Sequence, residues 1–73
     1  MELNDFIREF AGIFEDVSVE SLGPNTNFRE IEGWDSIALV ALIALISDVF
    51  QKEVTPSEIR SCNTIKDVYN LIK

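Results

Sequence analysis

Ten consecutive apolar residues, Ile37 to Ile46, dominate a chain of 73. A membrane-spanning helix takes about 20 such residues. No segment here alternates apolar and polar residues at period two, so no sheet is expected. The run therefore reads as a helix that is buried or faces a partner. Just before it stands Gly33-Trp34-Asp35-Ser36. Asp35 is a strong N-cap type, because its carboxylate can accept from the unpaired N–H groups of a helix first turn. Ser36 is then the first helical residue, and the helix is expected to reach about Gln51. Trp34 and Leu39 are spaced as a hydrophobic staple that fixes the angle at which the chain approaches. The Ser36 hydroxyl sits at a rigid corner, pointing out of a helix end that carries partial positive charge and favours phosphate. It reads as a point of attachment and not as a nucleophile.

Successive helical residues lie about 100° apart, which makes the faces of this helix readable. Leu39, Leu42, Ile43, Ile46 and Phe50 form an inner stripe. Ile37, Ala41, Ala44 and Asp48 lie opposite, with Val40 and Leu45 at the borders. Asp48 is the only charge between Asp35 and Lys52. An outward side so apolar is either covered by a tight bundle or an interaction surface.

The rest of the chain supplies further helices. Leu3, Phe6, Ile7, Phe10, Ile13 and Phe14 recur at spacings of three and four, predicting an amphipathic helix over residues 2–15. Residues 16–35 have no sustained period and hold the turn signal Gly23-Pro24-Asn25. A loop this long in a small domain is expected to be functional. Val17, Leu22, Phe28 and Ile31 can pin it to the core, with a single helical turn at 28–31. Thr55-Pro56-Ser57-Glu58 is a capping box with proline at the first helical position, and Val54 and Ile59 are spaced as its staple. That short helix ends near Ser61. Thr64 caps a last helix with Asp67 as box partner, and Ile65, Val68, Tyr69 and Ile72 on its inner face.

Composition narrows the function. Residues 1–73 form one small domain, which buries only about 60% of its unfolded surface. Hydrophobic content of 47%, with three glycines and two prolines, suits a globular fold. Thirteen acidic against six basic residues give a net charge of −7. This argues against nucleic acid, whose backbone calls for clustered Lys and Arg. Residues 1–36 hold nine acids and two bases, and residues 37–73 four of each. Basic partners are therefore drawn to the first half and to the start of the second helix, although acidity also serves solubility alone. No histidine occurs. That removes His-based acid–base catalysis, Ser-His triads and His-ligated metals. No P-loop, GxGxxG or EF-hand loop is present, and no metal site is expected. Cys62, the single cysteine, reads as a small buried apolar residue. One cysteine and no signal-type leader point to a reducing, cytoplasmic compartment. The chain is expected to be a monomer, and its initial methionine points to a free-standing protein.

Helix, long ordered loop, a second helix opening at Gly33-Trp34-Asp35-Ser36-Ile37, a short capped helix and a last helix: the whole order resembles the acyl carrier protein family. Phe50 near the end of the second helix, Val54-Thr55-Pro56 leading into the third and Thr64-Ile65 opening the fourth extend the resemblance along the chain. It implies an all-α four-helix bundle, with three main helices and a short third. It also implies that Ser36 is esterified by 4′-phosphopantetheine, taken from coenzyme A by a phosphopantetheinyl transferase. Asp35 is then the adjacent acidic residue, flanked by Gly33 and Trp34. The terminal thiol of the arm carries acyl groups as thioesters between acyl-loading and acyl-processing enzymes, and the protein is not itself an enzyme. Many members carry several acids along the exposed face of the second helix. Here Ile37, Val40, Ala41, Ala44 and Asp48 form the candidate partner face, and Ser47 and Val49 stand where acids are common. That departure points away from the general fatty-acid cycle and towards a dedicated polyketide or specialised lipid pathway. Two rivals stay open: a peptidyl or aminoacyl carrier, and an unmodified helical adaptor that binds a partner through the apolar helix. A cleft between the second and third helices could shelter an acyl chain against Leu42, Ile46, Ile59 and Tyr69, although sequence does not show a cavity.

Overall fold

A computed structural model describes residues 2–73, and among them four α-helices are joined by a long, hydrogen-bonded loop. The first helix, α1, spans Leu3–Ala11. It is shorter than its apolar pattern suggests. Glycine is a poor helix former, and at Gly12 the chain leaves the α-helix. It winds on in three-residue turns, with Ile13 N–H donating to the Phe10 carbonyl and Phe14 N–H to that of Ala11, each at 3.1 Å. Ile13 and Phe14 therefore reach the core from a turn and not from the helix.

The second helix, α2, spans Ser36–Leu45. The coil then widens to π geometry over Ile46–Phe50, and Gln51 ends it in the left-handed region at φ 56°. The total extent matches the expected Ser36 to Gln51, but the widening carries no signal in the apolar pattern. α3 spans Pro56–Arg60, and α4 spans Ile65–Ile72. Both open on the expected boxes. Thr55 Oγ1 accepts from Glu58 N–H at 3.2 Å while Glu58 Oε1 accepts from Thr55 N–H at 2.9 Å. Thr64 and Asp67 exchange the same pair of bonds.

Phe6, Phe10, Leu42, Ile46, Ile59, Ile65 and Val68 are fully buried and form the centre where the four helices meet. Aromatic rings fill the side between α1, the loop and α2. Phe10 lies within 6.5 Å, centroid to centroid, of Phe6, Phe14, Phe28 and Trp34. Phe28 is buried on a 3₁₀ turn, Phe28–Glu30, at the place expected for a helical turn. Leu22 and Ile31 also pack on the core as expected. Val19, on a second 3₁₀ turn at Val19–Ser21, joins that packing, whereas Val17 lines surface depressions.

The loop is stitched to the C-terminal half. Ile65 N–H donates to the Thr26 carbonyl at 3.2 Å, and Lys66 N–H to that of Pro24 at 2.9 Å. An isolated antiparallel bridge joins Asn27 to Thr64, and no strand is formed among the described residues. Among those residues no helix is long and apolar enough to cross a membrane.

Candidate functional site

The corner before α2 is built by two backbone devices. Gly33 adopts φ +98°, a conformation that side chains disfavour, and turns the chain towards the helix. Trp34 N–H then donates to the Ile31 carbonyl at 3.0 Å. The half-buried Trp34 ring packs edge-on against Phe28 at 4.9 Å and stacks over Phe10 at 6.4 Å. Trp34 thus anchors the loop, and it does so mainly on aromatic rings from α1 and the 3₁₀ turn.

Asp35 is extended and caps α2. Its Oδ1 accepts from Ala38 N–H at 2.9 Å, and its carbonyl accepts from Leu39 N–H at 3.0 Å. Ser36 follows as the first residue of α2 and is exposed. The cap holds the backbone of the first turn, so the exposed serine stands on a hydrogen-bonded base.

Two depressions flank this corner, and Asp35 lines both. The larger, of about 790 Å³, lies between the segment after α1 and α2. Its floor includes Phe14, Ala38 and Ala41, and its charged residues are Glu15, Asp16, Glu32 and Asp35. The smaller, of about 240 Å³, lies between α2 and α3 and includes Ser36 itself. Its apolar wall is Phe28, Trp34, Leu39 and Ile59, and its cations are Arg29 and Arg60. This hollow lies between α2 and α3, where the sequence allows a cleft, and it shares Ile59 with the residues named for it. Leu42 and Ile46 are fully buried core residues, and Tyr69 packs its ring on Phe6. The opening lies one turn nearer Ser36, at Leu39.

Arg29 is the residue that sequence reasoning missed. Its guanidinium donates to the carbonyls of Arg60 and of Cys62, the latter at 2.7 Å, so the loop grips the C-terminal end of α3. Its only signal in the sequence is that it is one of two bases among the nine acids of residues 1–36.

The outward face of α2 is also shifted from expectation. Ile37 and Val40 are 79% and 65% exposed, and Ala44, Ser47 and Asp48 are exposed too. Ala41, expected on that face, is half-buried, because it turns towards the depression beside Phe14. Leu45 packs on the core. The face is centred nearer Val40.

Cys62 is buried, and its Sγ lies 3.5 Å from the Glu58 carbonyl. Burial, then the charge of Asp67, pushes its thiol above the ordinary 9.0. At neutral pH it is an unreactive thiol.

Among the described residues, four short helices surround one core, and an exposed serine stands at the capped start of the second. The phosphopantetheine attachment site family matches residues 5–72. An acyl carrier protein of Streptomyces coelicolor (strain ATCC BAA-471 / A3(2) / M145) is 33% identical over 68 residues, covering 92% of this chain and 74% of that protein. The chain belongs to the phosphopantetheine-binding acyl carrier family. It is a carrier and not an enzyme, its cofactor is covalently attached phosphopantetheine, and it works with enzymes of acyl pathways.

Proposed function

We propose that residues 1–73 act as one carrier domain whose phosphopantetheine is esterified to Ser36. The observation that carries this reading is an exposed serine at the first position of α2, on a turn held by the Asp35 cap and the Trp34 anchor. The residues suit the group. A phosphodiester needs an accessible hydroxyl, a site tolerant of negative charge and a base that does not move with the arm. Ser36 supplies the hydroxyl, the N-terminus of α2 the tolerance, and the cap the fixed base. When bound, the group supplies a thiol that holds acyl cargo as a thioester. Ser36 Oγ holds the ester, Asp35 keeps the first turn closed, and Gly33 lets the chain turn into it. A tethered cargo reaches each partner at high effective concentration, so the protein needs no catalytic groups of its own.

Intact mass tests this directly. After incubation with coenzyme A and a broad-specificity phosphopantetheinyl transferase, the protein gains one phosphopantetheine increment and Ser36→Ala gains none. An increment retained by Ser36→Ala would overturn the assignment.

The reading of the pathway is supported by the exposed face of α2. Ile37, Val40 and Ala44 are exposed, and Asp48 is the single carboxylate between Asp35 and Lys52. Partners that read this surface do so by apolar contact, with charge at its ends. We infer a dedicated polyketide or specialised lipid pathway in place of the general fatty-acid cycle. Kinetics with fatty-acid synthase enzymes test it: the modified protein should be a poor substrate beside a standard fatty-acid carrier, and equal turnover removes the inference.

A further inference from the structure

The two depressions beside Ser36 have opposite charge. The larger carries four carboxylates and no cation, whereas the smaller carries Arg29 and Arg60 against Asp35 alone. In a chain with six basic residues and a net charge of −7, two of the six line the small hollow that contains the serine. A phosphodiester on Ser36 brings one more negative charge to a corner that already holds Asp35. That charge is repelled on the α1 side and attracted on the α3 side.

We propose that Arg60 pairs with the phosphodiester carried by Ser36, and that Arg29 positions Arg60 for it. The inference rests on Ser36 being the attachment site. Arg60 is exposed on the last turn of α3, and it lines the same hollow as the serine. Guanidinium presents a planar fork of donors that matches two phosphate oxygens. Arg29 spends donors on the carbonyls of Arg60 and Cys62, and so holds the main chain from which Arg60 springs. The arm therefore leaves Ser36 towards α3 and away from the acidic side. This leaves the Ile37–Val40 face of α2 clear for partners.

The test compares apo-protein and holo-protein made with coenzyme A and the transferase, for the wild type, Arg60→Gln and Arg60→Lys. Conversion of the wild type raises Tm by about 2–4 °C at low salt, the size expected of one exposed charge pair in a domain this small. The gain disappears in Arg60→Gln, persists in Arg60→Lys and is screened at about 1 M salt. In ¹⁵N-labelled wild-type protein, which needs no substitution, the Arg60 Nε–Hε resonance moves on conversion and that of Arg8 does not. A mass increment with an unmoved Arg60 resonance, or with an undiminished Tm gain in Arg60→Gln, overturns the pairing and leaves the attachment site standing. No mass increment overturns the attachment site and the pairing with it.

Discussion

Two of the described residues have positive φ, and they make opposite predictions from the same steric rule. Gly33 sits at φ +98° and Gln51 at φ 56°. A side chain in the left-handed region brings Cβ close to the following carbonyl oxygen, at a cost of about 1–2 kcal/mol. Space is not the obstacle at Gly33. A Cβ there would lie 3.6 Å from Phe14 Cδ1, an ordinary contact. Gly33→Ala should therefore lose about 1–2 kcal/mol through backbone strain alone. Gln51 already bears that strain at the end of the π segment, where glycine is the usual residue. Gln51→Gly should gain about 0.5–1 kcal/mol, since relief of strain exceeds the added freedom of the unfolded chain. Urea unfolding of both variants checks the pair, and two changes of the same sign would contradict it. Cys62 makes a third prediction at this scale. Its buried thiol, pushed above the ordinary range first by desolvation, should react with a disulfide reagent at neutral pH only when the protein unfolds. The holo-protein then shows one fast thiol, that of its arm, and the apo-protein none.

At the scale of elements, the helix starts are the most strongly specified parts of the molecule. Asp35, Thr55 and Thr64 each cap the helix that the sequence assigns to them, because a cap needs only residues three apart. The α4 box adds a pH dependence. N–H donation from Thr64, then from Asn63, holds the Asp67 carboxyl below its ordinary 3.8. The folded protein thus binds that proton less tightly than the unfolded chain does. The contribution to stability is present above the ordinary value and is lost as pH falls through the lowered one. Below pH 3.8 the urea midpoint of the wild type should fall more steeply than that of Asp67→Asn, and parallel curves would show that the box is silent. The exposed face of α2 has no comparable local partner. Ile37→Glu and Val40→Glu should leave stability within about 0.5 kcal/mol of the wild type, yet weaken turnover by the partner enzymes. A loss of stability in both would mean that this face is structural.

The whole molecule shows what local patterning leaves out. Four helices, their caps and the Ser36 corner were legible because each rests on neighbours in sequence. The path of residues 12–32 was legible only at its anchors Leu22, Phe28 and Ile31, because the rest is decided by bonds across the fold. Val19 in place of Val17, the outward turn of Val40 and the grip of Arg29 all depend on which distant element lies alongside. Arg29 reaches partners 31 and 33 residues away. It acts with the bonds from Ile65 to Thr26 and from Lys66 to Pro24 to tie the loop, α3 and α4 into one unit. Removing the guanidinium leaves two carbonyls at the end of α3 without their donor, and water replaces it only in part, since Cys62 is buried. A charge-assisted bond of this kind contributes about 1–2 kcal/mol once its exposure is allowed for. A domain this small has about 4–11 kcal/mol in all. Arg29→Met, which keeps an apolar stem of similar length, should therefore lower the urea midpoint clearly with an unchanged m value. Hydrogen exchange gives the finer test, because the damage is directional. The Ile65 and Lys66 amides, bonded to the loop, should exchange faster, while those within α1 keep their protection relative to global unfolding. Uniform acceleration along the chain would mean that Arg29 merely adds stability. Acceleration confined to the seam would mean that it is the joint through which the loop holds α3 beside Ser36.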